Sequence, residues 1–201
     1  QGNALEAQRI WEEVLAVRLR VSGSEHPDTI AVKINLAVVY LEQGKLAEAW
    51  KMQEELLPLL RRIAGPEHPD TLRTLVILGN ICSRQGQAVE ARDFLKEAVA
   101  GQQRTLGTTH PLTLHTMNAL AWLLATCADP EVRNGQSALD YAEQVVTATG
   151  RTNAAYLDTL AAACAELGQF TGAARVQQEA IGLLNTEEEK QDFESRLRLY
   201  Q

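Results

Sequence analysis

From residue 26 onward, apolar residues fall at helical spacing in blocks that stop and restart. Ile30, Ile34, Ala37, Val38 and Leu41 recur three or four apart and predict an amphipathic helix opening at Pro27. Gln43-Gly44-Lys45 ends it, with Gly44 suited to a left-handed cap. Leu46, Ala49, Trp50, Gln53, Leu56, Leu57 and Leu60 predict a second helix, closed by Gly65. Pro58 lies inside it, where a missing N–H predicts a bend. The pattern then repeats. Leu72, Leu75, Val76, Leu78, Gly79 and Cys82 precede a turn at Gln85-Gly86-Gln87, and Ala88, Ala91, Phe94, Leu95 and Ala98 follow it. A third block runs through Leu114, Met117, Leu120, Ala121 and Leu124. Its turn, CADPEVRNG at 127–135, is longer by about five residues, and Ala138, Leu139, Ala142, Val145 and Val146 return. A shorter fourth block has Tyr156, Leu157, Leu160, Ala161 and Cys164 before ELGQF (166–170), and Ala173, Ala174, Gln177, Ala180 and Ile181 after it.

The blocks keep a strict period. EHPDT stands at 25–29 and at 67–71, and THPLT at 109–113, so His26, His68 and His110 are spaced by 42 residues. Gly23, Gly65 and Gly107 keep the same interval. A fixed period of this length marks stacked structural units. Pro27, Pro69 and Pro111 suit the first helical position, where the lost N–H has no intrahelical acceptor. Each histidine therefore flanks a helix start and reads as punctuation. The one-per-unit spacing argues against a shared metal, and His115, one turn past His110, has no evident third ligand.

The predicted fold is all-α, a right-handed α-solenoid of antiparallel helix pairs. One array spans 1–201, with pairs at 26–65, 68–107, 110–150 and 153–184. Residues 2–22 align with the turn and second helix of a unit: Gly2 with Gly44 and Gly86, Ala7 with Ala49 and Ala91, and Trp11 with Gln53 and Leu95. With no first helix before them, and Gln rather than Met at residue 1, the expectation is a chain that begins inside a longer array. TEEEKQDFESRLRLYQ (186–201) has acids first and arginines last, which suits a helix dipole. Its narrow stripe of Phe193, Leu197 and Tyr200 suits a capping helix.

Net charge and chemistry narrow the function. A charge of −7 with a pI near 5.2 argues against nucleic acid or anionic membrane as the main partner. No apolar run approaches the ~18 residues of a membrane span. Cys82, Cys127 and Cys164 are far apart, lie in apolar runs and lack a CxxC or partner histidine; reduced, buried thiols in a cytoplasmic setting are expected. No phosphate-binding, dinucleotide, zincin or serine-hydrolase motif occurs, so no enzyme, cofactor or metal is expected.

The residues G-x-x-H-P-x-T, then Leu36-Ala37 and Tyr40, then QGK and Ala49, resemble tetratricopeptide repeats of the kinesin-light-chain type across nearly the whole chain. The shorter fourth unit is near the common 34-residue period. Near the C-terminus, LAWLLATCADP and DFESRLRLYQ resemble the ends of long bacterial repeat proteins. The resemblance implies helix pairs whose first helices line a concave groove that takes a peptide. It points inward Asn35, Val38, Glu42, Arg73, Ile77, Asn80, Arg84, His115, Asn118, Trp122 and Asp158. A groove asparagine is kept at Asn35 but replaced by Ile77 and Ala119 in the next units. Arg73, Arg84 and His115 form a basic group in an acidic chain, beside Asn80, Asn118 and Trp122. That chemistry suits an acidic peptide with an aromatic or leucine anchor. Trp122 packing between helices, with the arginines paired to neighbouring acids, is the alternative. Other expectations stay open: a structural spacer, self-association through open solenoid ends, or the regulatory tail of a larger bacterial signalling enzyme.

Overall fold

The computed structural model describes residues 2–201, with side chains from residue 5 onward. Ten helices and no strand occur among the described residues: α1 Gly2–Ser22, α2 Pro27–Glu42, α3 Leu46–Ile63, α4 Pro69–Arg84, α5 Ala88–Leu106, α6 Pro111–Thr126, α7 Gly135–Ala148, α8 Ala154–Glu166, α9 Phe170–Gly182 and α10 Glu187–Tyr200. Gly2 is the first residue of α1 rather than a turn residue. The chain divides into two compact units, 1–105 and 106–201.

The helix starts explain the repeated phrase. His26, His68 and His110 are the N-caps of α2, α4 and α6, with extended backbone, and proline stands at the first helical position. Each Nδ1 accepts the backbone N–H two residues on, from Asp28, Asp70 and Leu112, at 3.2 Å in all three. One of the orphan donors of the first turn is thereby satisfied, as Ser or Asp does at other caps. Nδ1 must be the unprotonated nitrogen to accept. At the other end, Gly44, Gly86 and Gly168 have φ of +74°, +76° and +72°, and turn each first helix into its partner.

In unit 1, α1 packs on α2, α2 on α3 and α4, and α3 on α4. Ile30, Ile34, Leu56, Leu60, Ile77 and Ile81 make one core cluster. Leu57, Leu72, Leu75, Leu78 and Ala98 make a second, with Trp50 and Phe94 edge-to-face at 6.4 Å beside it. The α3 helix is unbroken through Pro58, which is exposed. In unit 2, α6 packs on α7 and α8, α8 on α7 and α9, and α9 on α10. Ala121, Ala142, Val146, Leu157, Ala161 and Ala173 are central to its core. The long loop between α6 and α7 buries Val132, and its Arg133 pairs with Glu166 at 3.0 Å.

Cys82 and Cys164 are buried as expected, but Cys127 differs. It is the C-cap of α6, half-buried, and its Sγ accepts the Asp129 N–H at 3.4 Å. The apolar run before it ends at Thr126, because Asp129-Pro130 cannot continue a helix.

Candidate functional site

The first helices of unit 1 carry a polar face shared by α2 and α4. Arg73 on α4 donates to the Asn35 side-chain oxygen on α2 at 2.8 Å. Arg84, in the last turn of α4, donates to the backbone carbonyl of Leu41. Both arginines are exposed, and neither forms an ion pair among the described residues. Arginines elsewhere behave differently. Arg61 binds Glu97 at 2.7 Å, Arg62 binds Glu25 at 2.8 Å, Arg104 binds Glu67 at 2.6 Å and Arg151 binds Glu179 at 2.6 Å. The two face arginines thus meet neutral acceptors, and their charge is left uncompensated by carboxylates.

Asn80 and Val38 are half-buried on the same two helices, and Val38 rests against the core. Ile77 is only 4% exposed and packs with Ile34 and Ile81, so it offers a ligand no surface. Its register partner Asn35 stays half-buried at the rim, where its amide meets Arg73.

In unit 2, His115 is exposed on α6, and Asn118 is half-buried with its side-chain oxygen enclosed and unpartnered. Trp122 is half-buried beneath the Arg196 guanidinium of α10, 5.7 Å from the ring centroid. Arg196 Nε also donates to Asp158 Oδ1 at 2.7 Å, and Gln177 Nε2 donates to the same oxygen at 2.7 Å. Trp122 and Asp158 are therefore joined through Arg196, a residue to which the repeat pattern does not point. Trp122 and Arg196 stand 74 residues apart, and no periodic rule links a capping helix to α6.

Among the described residues, no group of three or more His, Cys, Asp or Glu is arranged to hold a metal ion. None of the helices described is long and apolar enough to cross a membrane.

Helical hairpins with glycine turns and proline starts, repeated along the chain, define a helical-repeat protein. The sequence profile of the tetratricopeptide repeat matches residues 1–62, 30–104 and 70–131. The chain belongs to the tetratricopeptide-repeat family. Its fold is similar to the crystal structure of a kinesin light chain protein with nearly identical TPR-like repeats from Podosopora anserina, at 28% identity and a TM-score of 0.73, covering 90% of this chain and 87% of that one. A single-substitution form of that protein matches with a TM-score of 0.75. BtubC (BKLC) from P. vanneervenii shares the fold at 18% identity and a TM-score of 0.75, over 90% of this chain and 73% of that one. No curated protein shows significant similarity to the chain. Repeats of this family generally mediate protein–protein interaction.

Proposed function

We propose that the chain is a non-enzymatic scaffold of the cytoplasm that takes an acidic peptide segment with an apolar anchor on the faces of its first helices. The supporting observation is the pair of exposed guanidinium groups, Arg73 and Arg84, held by neutral acceptors in a chain of net charge −7. A partner carboxylate offers each a charge-assisted bond stronger than the neutral one it replaces. Asn35 and Asn80 add amides that suit a peptide backbone; His115, Asn118 and Trp122 are the corresponding proposed contacts on unit 2.

The test is a titration of fluorescent acidic peptides, each carrying one Trp or Leu, against the purified chain. Arg73→Glu/Arg84→Glu is expected to weaken binding at least ten-fold, and affinity is expected to fall with added salt. Binding that is unchanged in that variant overturns the proposal.

A second reading, self-association, is favoured by the apolar exposure of α1, where Leu5, Ile10, Val17 and Val21 face solvent. Light scattering over a concentration series decides it: a monomer at every concentration removes this reading.

A further inference from the structure

The C-terminal helix of unit 2 is held in an unusual way. No residue of α10 is buried, whereas α8 buries Leu157 through Cys164 without a break. Phe193 and Tyr200 only rest against the core. The polar anchor is Arg196, whose side chain keeps 28% of its exposure while its partner Asp158 keeps 8%. The guanidinium lies 5.7 Å from the Trp122 ring centroid and 4.9 Å from that of Phe193. Gln177, fully buried, donates to Asp158 Oδ1 at 2.7 Å and to the Phe193 carbonyl of α10 at 3.1 Å.

Three of these groups belong to the body of unit 2: Trp122 on α6, Asp158 on α8 and Gln177 on α9. Gln177, on α9, gives the carboxylate a second donor from the body of unit 2, through the same amide that reaches the Phe193 carbonyl of α10. A carboxylate beside an indole face is a slot for a planar cation, binding it by charge-assisted hydrogen bond and by cation–π attraction. Arginine suits such a slot better than lysine, because the guanidinium joins a hydrogen-bond donor to a planar face that stacks on an indole. The helix that fills the slot also starts on its own terms: Thr186 and Glu189 form a reciprocal capping box, so its first turn is satisfied without help from unit 2.

We propose that Trp122, Asp158 and Gln177 form a guanidinium-recognition cleft, that Arg196 is its resident intramolecular ligand, and that an arginine-bearing amphipathic helix of a partner protein displaces α10 from it. This cleft involves neither Arg73 nor Arg84; it shares Trp122 with the contacts proposed above on unit 2, so that ring serves the acidic peptide only by an edge that Arg196 leaves open. The partner it selects has the opposite charge at its anchor, and α10 sets the threshold for its entry, since the tethered helix competes at high effective concentration.

The experiment uses the full chain and a fluorescein-labelled peptide of residues 186–201. The Arg196→Ala/Phe193→Ala chain, its cleft no longer filled from within, is expected to bind the peptide at least ten-fold more tightly than the unsubstituted chain. A peptide carrying Arg196→Lys is expected to bind that variant at least five-fold more weakly than the native peptide. Equal affinity for both chains, or equal affinity of both peptides, overturns the proposal. Hydrogen exchange on the unsubstituted chain reads the same claim without any variant. Amides of α10 are expected to exchange at least 100-fold faster than those of α8, and faster still with excess native peptide. Protection of α10 equal to that of α8, or exchange unmoved by the peptide, rules the displacement out.

Discussion

Gln53 is fully buried in α3, and neither its Oε1 nor its Nε2 has a hydrogen-bond partner. It lies on the same helix face as Ala49, Leu56 and Leu60, all members of one core cluster. The repeat register sharpens the anomaly. Forty-two residues on, the position is Leu95, 1% exposed. In the fourth pair the aligned residue is Gln177, whose Nε2 reaches Asp158 and the Phe193 carbonyl. The register counterpart of Asp158 in the first pair is Ile34, fully buried and unable to accept a bond. Leaving a buried polar group unsatisfied costs ~1–3 kcal/mol, and replacing it by an apolar group of similar shape recovers much of that. Gln53→Met keeps length and the unbranched stem, so a gain of about 2 kcal/mol is expected, or about 4–8 °C in Tm for a transition of this chain length. Gln53→Leu is expected to gain less. Leu95 Cγ lies 2.8 Å from where a Cβ on Gly79 would stand, and the counterpart of Gly79 in the first pair is Ala37, which has that Cβ. Calorimetry of the two variants beside the parent is the assay. A Gln53→Met chain that melts below the parent refutes the reasoning, because it means the amide is satisfied, for instance by an internal water.

Two further outcomes follow from the caps and the thiols. His68→Ala removes the acceptor for the Asp70 N–H and is expected to cost ~1 kcal/mol, while His68→Asp, which restores a capping oxygen, is expected to recover most of it; thermal melts of the pair check this. Burial, followed by the nearby Glu90 charge, pushes the Cys82 thiol up to about 11 from an ordinary value of 9.0, so the folded chain holds that proton more tightly than the unfolded one. Its contribution to stability is complete below about pH 9 and is lost as pH rises through about 11. In a thiol-reagent assay at about pH 8, just below the ordinary thiol range, only half-buried Cys127 is expected to react rapidly in the folded chain, with Cys82 and Cys164 following on denaturation; three fast thiols would contradict that order.

The pair architecture was legible because each of its signals is local. A glycine that must take positive φ, a proline at a first helical position, and apolar residues three and four apart all act within one turn of chain. The cap itself was half-legible: His before Pro marks a helix start, but that its Nδ1 takes the place of a serine or aspartate oxygen depends on a rotamer. Site residues fared according to how far their partners lie in sequence. Asn35 and Arg73 meet because α2 and α4 are register equivalents that pack side by side, which periodicity can anticipate. Ile77 shares Asn35's register and still turns into the core, because an aliphatic side chain at a rim position gains by burial where an amide gains by staying at the edge.

The anchor at Trp122 could not be read ahead, since α10 belongs to no repeat and its stripe of Phe193, Leu197 and Tyr200 says only that one side is apolar. Arg196 sits one residue from that stripe, among polar positions, and looks like a solvated charge until Asp158 is seen to be buried. A buried carboxylate is costly without a counter-charge. Once α8 places Asp158 inside, a cation from a neighbouring element is required, and the element of unit 2 packed beyond α9 is α10. The burial of one acid in a repeat helix was therefore the missing datum. It separates an arginine that merely solubilises a terminal helix from one that fastens it.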